Sequence, residues 1–142
     1  MEYLVCRLRE HPSLTTSRVC EKVAELLDSL GFRVNDALEE RRITPEDVRS
    51  LPERFYCLFR GEELRGVAVT RVEGEVCRVY YMKSLDRVER TFVVLLISEL
   101  LKSRVREIVL VRVDDENILR EVKELGFKTN SDGHLFYSFR VE

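Results

Sequence analysis

Apolar residues along the chain come in two periods, and the switches between them predict where each element begins and ends. Between Glu2 and Arg9, Leu4, Cys6 and Leu8 share one face while Tyr3, Val5 and Arg7 take the other, the period of a strand. His11-Pro12-Ser13 interrupts it. Val19, Val23, Leu26, Leu27 and Leu30 then fall on one helical face, with Ser17 placed to cap the helix and Gly31 to end it. Thr44-Pro45-Glu46-Asp47 opens a second, short helix with a capping hydroxyl, proline at the first helical position and an acid at the third; Pro52 forbids its continuation. Between these helices, Glu39-Glu40-Arg41-Arg42 reads as a solvated face.

Phe55 to Phe59 and Gly66 to Val72 are aromatic and β-branched runs joined by Arg60-Gly61-Glu62-Glu63, and Val76 to Met82 follows Glu73-Gly74-Glu75. Turn residues at that spacing predict an antiparallel meander of three strands. From Asp86 to Ser103 the pattern is helical, with Val88, Phe92, Leu95, Leu96 and Leu100 aligned and Val93, Val94 and Ile97 making it apolar nearly all round. A buried strand over Phe92 to Ile97 is the alternative, but the continuation Ser98-Glu99-Leu100-Leu101 favours a central helix by length. Glu107 to Val113 is a strand, Asp114-Asp115 cap a helix carrying Ile118, Val122 and Leu125, and Gly126 stops it. The turn Asn130-Ser131-Asp132-Gly133 leads into a last strand, His134 to Val141. The order β-α-α-β-β-β-α-β-α-β-β, with no repeat, linker or low-complexity tract, implies an α/β layered fold.

Composition narrows the function classes. The chain of 142 residues has the size of one domain, residues 1–142, and such a domain buries about 70% of its unfolded surface. Hydrophobic residues at 44% and charged residues at 35% exclude a disordered chain. A net charge of -2 with acids and bases interspersed lacks the basic block expected of a nucleic-acid partner. The longest apolar run, Phe92 to Ile97, is far short of the roughly 20 residues that span a bilayer. Met1-Glu2-Tyr3-Leu4-Val5 lacks the regions of a secretory signal, so the expectation is a cytoplasmic protein with no membrane partner. Cys6, Cys20, Cys57 and Cys77 never approach C-x-x-C spacing, and His11 and His134 are the only histidines, so no metal is expected and the thiols read as small buried apolar groups. Glutamine is absent, asparagine occurs only at positions 35, 117 and 130, and arginine far outnumbers lysine, a balance that leans towards a thermophilic source. The G-x-S-x-G, P-loop and H-E-x-x-H patterns are missing.

Three stretches carry a resemblance. Phe59-Arg60-Gly61-Glu62-Glu63-Leu64-Arg65-Gly66-Val67-Ala68-Val69 is a turn followed by glycine and small apolar residues; Val113-Asp114-Asp115 opens a helix that closes on Leu125-Gly126-Phe127; and Tyr80-Tyr81-Met82-Lys83-Ser84-Leu85-Asp86 leads into Arg87-Val88-Glu89-Arg90-Thr91-Phe92-Val93-Val94-Leu95-Leu96. With the order of elements, they resemble the GNAT superfamily of acetyl-coenzyme A dependent N-acyltransferases over nearly the whole chain. The resemblance implies a mixed, mostly antiparallel sheet of about seven strands flanked by about four helices. It also implies that a loop R-x-x-G-x-[GA], ahead of a Leu-Leu pair, holds the pyrophosphate of acetyl-CoA on backbone N–H groups and a helix N-terminus. Arg87 and Leu95-Leu96 match that pattern, whereas Arg90 and Phe92 stand at the glycine positions. Phe92 would pack into the core or push the backbone away from the phosphates, and Asp86 and Glu89 add negative charge there. Lys83, Arg87 and Arg90 supply positive charge in place of backbone donors, so the loop is either remodelled or lost.

A cofactor site by this resemblance comprises Tyr81, Met82 and Lys83 at a strand end and Arg87, Arg90 and Thr91 at the helix start. Acetyl transfer needs a base to free the amine and an acid for the departing thiolate. The resemblance places a tyrosine four residues before the Gly-Phe, where this chain has Val122. Glu75 is then the candidate base and Tyr137 the candidate acid, with Tyr80, Tyr81 and His134 as further candidates and a structural role the alternative for each. Two functions follow: an N-acetyltransferase acting on an amine of a small molecule or peptide, or a non-catalytic GNAT-like module that binds or assembles, as a homodimer through its last strands.

Overall fold

The computed structural model describes residues 2–8, 17–36 and 39–139. In chain order it contains β1 (Tyr3–Arg7), α1 (Ser17–Ser29), β2 (Arg33–Asp36), β3 (Glu39–Arg42), α2 (Pro45–Ser50), a 3₁₀ turn (Pro52–Arg54), β4 (Phe55–Arg60), β5 (Glu63–Glu73), β6 (Val76–Ser84), α3 (Glu89–Lys102), β7 (Glu107–Leu110), α4 (Glu116–Glu124), β8 (Lys128–Thr129) and β9 (Leu135–Ser138). Seven strands form one sheet in the order β1-β4-β5-β6-β7-β9-β8, in which β6 and β7 are the parallel pair and every other pair is antiparallel. This is the mixed, mostly antiparallel architecture expected from the sequence, with α3 a helix rather than the alternative strand.

Each sheet face is covered by one helix pair. Cys20, Val23 and Leu27 of α1 and Val48 of α2 pack with Phe55, Cys57, Val67 and Val69 on one face. Phe92, Leu96 and Leu100 of α3 and Ile118 and Val122 of α4 pack with Leu58, Ala68, Cys77, Val79 and Met82 on the other. Each fully buried side chain of this kind contributes about 1.5–3 kcal/mol. The caps agree with the residues that predicted them. Thr44 accepts a hydrogen bond from Asp47 N while the Asp47 carboxylate accepts from Thr44 N, and Asp115 accepts from Asn117 N and Ile118 N. The His11-Pro12-Ser13 turn, the Ser17 capping side chain and the end of the last strand at Val141 lie outside the described residues and side chains.

One element has no counterpart in the predicted order. β2 and β3 form a separate two-stranded hairpin, pairing from Arg33↔Arg42 to Asp36↔Glu39. The run Glu39-Glu40-Arg41-Arg42 is largely solvated as read, but as a strand that is tied back to the helices: Arg41 makes a two-pronged ion pair with Asp47, and Arg42 and Arg33 both reach Asp28. Hydrogen bonding and ion pairs hold this hairpin, with Val34 its one apolar side chain packed against the core, so no hydrophobic period marks it. All four cysteines are free and buried, and burial pushes the Cys6 thiol up to about 11 and the Cys77 thiol up to about 12.

Candidate functional site

The site grows from one irregularity in β6. β7 pairs with β6 from Val76↔Glu107 to Val79↔Leu110, and Val111 N donates to Val79 O at 2.9 Å; beyond that point the two strands part. From Tyr81 to Ser84, β6 keeps β5 as its partner and has none on the β7 side among the described residues. A bulge sits at the parting: Val69 faces Tyr81 and Thr70 faces Val79, so Tyr80 is left without a cross-strand partner. The extra residue lets Val79 and Met82 both point into the α3 side of the core. It also turns the consecutive Tyr80 and Tyr81 together into a cavity on the opposite face.

That cavity, of about 820 Å³, lies between the α1–β2 turn, the β2–β3 hairpin, α2, the 3₁₀ turn and the open half of β6. Tyr81 meets Phe32 edge-on at 5.2 Å, and its hydroxyl donates to Leu30 O at 3.5 Å. Burial, reinforced by the nearby carboxylates of Asp114 and Asp115, pushes the Tyr81 phenol up to about 12, so it stays protonated at neutral pH. The Arg54 guanidinium lies over the Tyr80 ring at 5.8 Å, with its Nε donating to Thr70 O. Arg41, hydrogen-bonded to Asp47, holds that carboxyl well below the usual carboxylate range, with burial opposing and Thr44 assisting. Arg112 and Asp114, just beyond β7, complete the rim.

On the other flank of β6, the turn into α3 is built without glycine. Asp86 and Arg87 both adopt left-handed backbone, at φ 62° and 56°, a conformation that costs a non-glycine residue of order 1–3 kcal/mol. Arg65 ion-pairs with Asp86, and Leu85 N donates to Arg65 O at 2.8 Å, which holds the turn in place. Val88 precedes the helix with no side-chain cap, and the first helical bond runs from Phe92 N to Val88 O. The N–H groups of Glu89, Arg90 and Thr91 therefore have no partner inside the helix. Phe92 takes the first of its two outcomes: it is fully buried, and its ring packs where a side chain on Gly66 would come within 3.0 Å. Its ring leaves the helix N-terminus clear. Arg87 is exposed, Lys83 and Thr91 are half-buried, and Met82 is buried. Arg90 reaches across to α4, where its guanidinium lies 3.5 Å from Glu121 and 3.9 Å from Glu124.

Solved structures with the same path of chain decide the fold. An acetyltransferase of the GNAT family from Streptococcus pneumoniae superposes with a TM-score of 0.69 at 9% identity, covering 98% of this chain and 100% of its own. A putative acetyltransferase from Salmonella typhimurium, solved with its cofactor acetyl-CoA, gives 0.68 at 10% identity over 99% and 95%. The ribosomal-protein-S18-alanine N-acetyltransferase from Escherichia coli gives 0.64 at 14% identity over 99% and 96%. The chain has the GNAT fold. No protein-family model and no curated protein matches its sequence.

Within this GNAT fold the predicted site residues separate into two groups. Tyr81, Met82, Lys83, Arg87, Arg90 and Thr91 gather along the open half of β6 and the start of α3. Glu75 and Tyr137 do not join them. Glu75 occupies the β5–β6 turn, where its carbonyl accepts from Arg106 N and Glu107 N at the closed end of the β6–β7 pair, about 20 Å of strand from Tyr81. Tyr137 pairs with Ile108 on the α3–α4 face, between Phe127 and Phe139, whereas the cavity opens on the other face. His134 sits in the β8–β9 connection, its N–H donating to Asn130 Oδ1. Sequence reasoning missed Arg54, Arg112 and Asp114 as cavity residues; they come from two segments far apart in the chain, the 3₁₀ turn and the β7–α4 connection, and no motif spacing joins them. Among the described residues no group of His, Cys, Asp or Glu is arranged to hold a metal ion, and no helix is long and apolar enough to cross a membrane.

Proposed function

We propose that this chain, as one domain over residues 1–142, is a divergent cytoplasmic N-acetyltransferase that moves an acetyl group from acetyl-CoA to the amine of a small molecule or peptide. The observation that carries the reading is the parting of β6 and β7 after Val79, with an uncapped α3 N-terminus on one flank and the tyrosine-lined cavity on the other. Fold alone does not fix function. These features fit the cofactor because they offer unpaired donors and acceptors at an accessible place. The β6 backbone at Tyr81, Met82 and Lys83 would pair with an amide-bearing arm as an added strand does. The N–H groups at Arg90 and Thr91, with the cations of Lys83, Arg87 and Arg90, would hold phosphate.

Acetyl-CoA, when bound, supplies a thioester carbonyl open to attack by an amine. The protein's own task is to manage protons and water around that amine. An amine arrives as an ammonium at neutral pH and sheds a proton before its nitrogen can attack. Asp114, which lines the cavity, is exposed and has no hydrogen-bond partner among the described residues, is placed to take that proton directly or through water. Tyr81, held protonated at the wall of the same space with its hydroxyl resting on Leu30 O, would turn that proton to the departing thiolate. These two replace Glu75 and Tyr137 in the proposed roles.

A second reading, a non-catalytic GNAT-like module assembling as a homodimer through its last strands, is favoured by one observation: Arg90 is engaged by Glu121 and Glu124 rather than turned to the loop. Thermal unfolding with about 1 mM acetyl-CoA, against adenosine 3',5'-bisphosphate as the control, separates the two. A dissociation constant on the order of 10 μM gives a hundredfold excess and about 2.7 kcal/mol of stabilisation, a rise of several degrees for a domain of this size. Stabilisation specific to acetyl-CoA, followed by amine-dependent release of free thiol, is the expected result. No rise at saturating ligand sinks the enzyme reading in favour of the module.

A further inference from the structure

The cavity's arginines are not equivalent. Arg33 and Arg41 line it but are committed, the first to Asp28 and the second to Asp47. Arg54 and Arg112 line the same space and have no carboxylate partner among the described residues. Arg54 is also held in place: it is half-buried, its Nε is bound to Thr70 O at 3.1 Å, and its plane lies over the Tyr80 ring. With Nε anchored, the two terminal nitrogens of the fork have no acceptor among the described residues. A partly desolvated guanidinium oriented in this way is matched by a planar or tetrahedral oxyanion, which accepts from it in two-pronged fashion. Arg112 approaches from the end of β7, so the two cations come from opposite sides of the open strand. The cavity also presents Glu40 and Asp114, which have no ion pair among the described residues, acceptors that suit the cationic end of a dipolar molecule.

We infer that the acceptor amine carries an anionic group, a carboxylate or a phosphate, which Arg54 holds with support from Arg112 while the amine lies towards Tyr80 and Tyr81. The inference deepens the acyl-transfer reading and rests on it for the word acceptor, but the anion site itself is testable by binding alone.

Titration calorimetry on the full chain with two matched pairs of probes tests it. N-acetyl-L-leucine against N-acetyl-L-leucinamide differs by a carboxylate, and phosphoethanolamine against ethanolamine differs by a phosphate. The anionic member of at least one pair is expected to bind tenfold or more tightly than its neutral counterpart, and the pair showing the gap identifies the oxyanion. Arg54→Gln should abolish the gap, Arg54→Lys should restore part of it, and Arg112→Gln, an exposed change with little risk to folding, should narrow it. Equal affinities within both pairs, no binding of either anionic probe up to about 10 mM, or a gap that survives both Arg54→Gln and Arg112→Gln each overturns the inference. Acetyl-CoA stabilisation is read separately. An acetyl-CoA rise without anion preference fails the acceptor inference alone, whereas anion preference without that rise fails the acyl-transfer reading and leaves an anion-binding module.

Discussion

The two flanks of β6's open half are built on different principles. Towards α3 the structure offers backbone: an unpaired strand edge, a left-handed turn at Asp86 and Arg87, and helix N–H groups without a cap. Towards α1 and α2 it offers side chains: Tyr80, Tyr81, Arg54 and Arg112 around a cavity whose walls are held by the Arg41–Asp47 and Arg42–Asp28 ion pairs. Backbone geometry survives replacement of the residues that usually accompany it, which is how the α3 flank keeps its shape with Arg90 and Phe92 at glycine positions. Side-chain recognition has no such tolerance. On the proposed reading, specificity therefore belongs to the cavity flank.

The sharpest way to break this comparison is at Phe92, which belongs to the α3 flank by sequence and to the core by packing. Phe92→Ala should destabilise the fold by about 3–5 kcal/mol, read by chemical denaturation, while the folded fraction keeps its affinity for acetyl-CoA. A loss below about 1 kcal/mol, or a loss of affinity in the folded protein, would return Phe92 to the site. A smaller effect is expected at Arg90. Reversing its charge in Arg90→Glu should weaken acetyl-CoA binding at least tenfold, about 1.4 kcal/mol. An unchanged affinity means that Arg90 serves α4 alone.

The smallest effect sharpens the cavity flank. Asp47→Asn removes the negative charge and one of the two acceptor oxygens that hold Arg41 and the Thr44 N–H, and should cost about 1 kcal/mol at neutral pH. The folded-state carboxyl titrates below its ordinary value, so its stabilisation is complete above the carboxylate range and is lost as pH falls through that range. The difference in unfolding midpoint between wild type and variant should accordingly be greatest near neutrality and shrink in acid. A difference that stays constant across this range would place the Asn effect in local packing rather than in charge.

Much of this molecule was legible in residues close together in the chain. The Thr44 and Asp115 caps, the helical period through Phe92, Leu96 and Leu100 and the turn glycines all act within a few positions, and the elements they predict are present. The β2–β3 hairpin was not legible, because its exposed residues carry no apolar period. Nor was the distance of Glu75 and Tyr137 from the cavity legible: a strand's sequence does not say at which register its neighbour departs, and that register puts both residues along the closed half of the β6–β7 pair.

By itself the sequence determined the type and order of the elements other than the β2–β3 hairpin, the layered α/β class they imply and the absence of glycine from the turn ahead of α3. Tertiary structure alone decided that one extra residue in β6 turns Tyr80 and Tyr81 to the same face, that Phe92 fills the space over Gly66, that Arg90 answers to Glu121, and that Arg54 and Arg112 have no carboxylate partner among the described residues. The division has a physical reason. Periodicity and capping are set by bonds and contacts within a turn or two of chain, whereas a bulge, a close approach and the choice of ion-pair partner depend on which distant segments the completed core brings together.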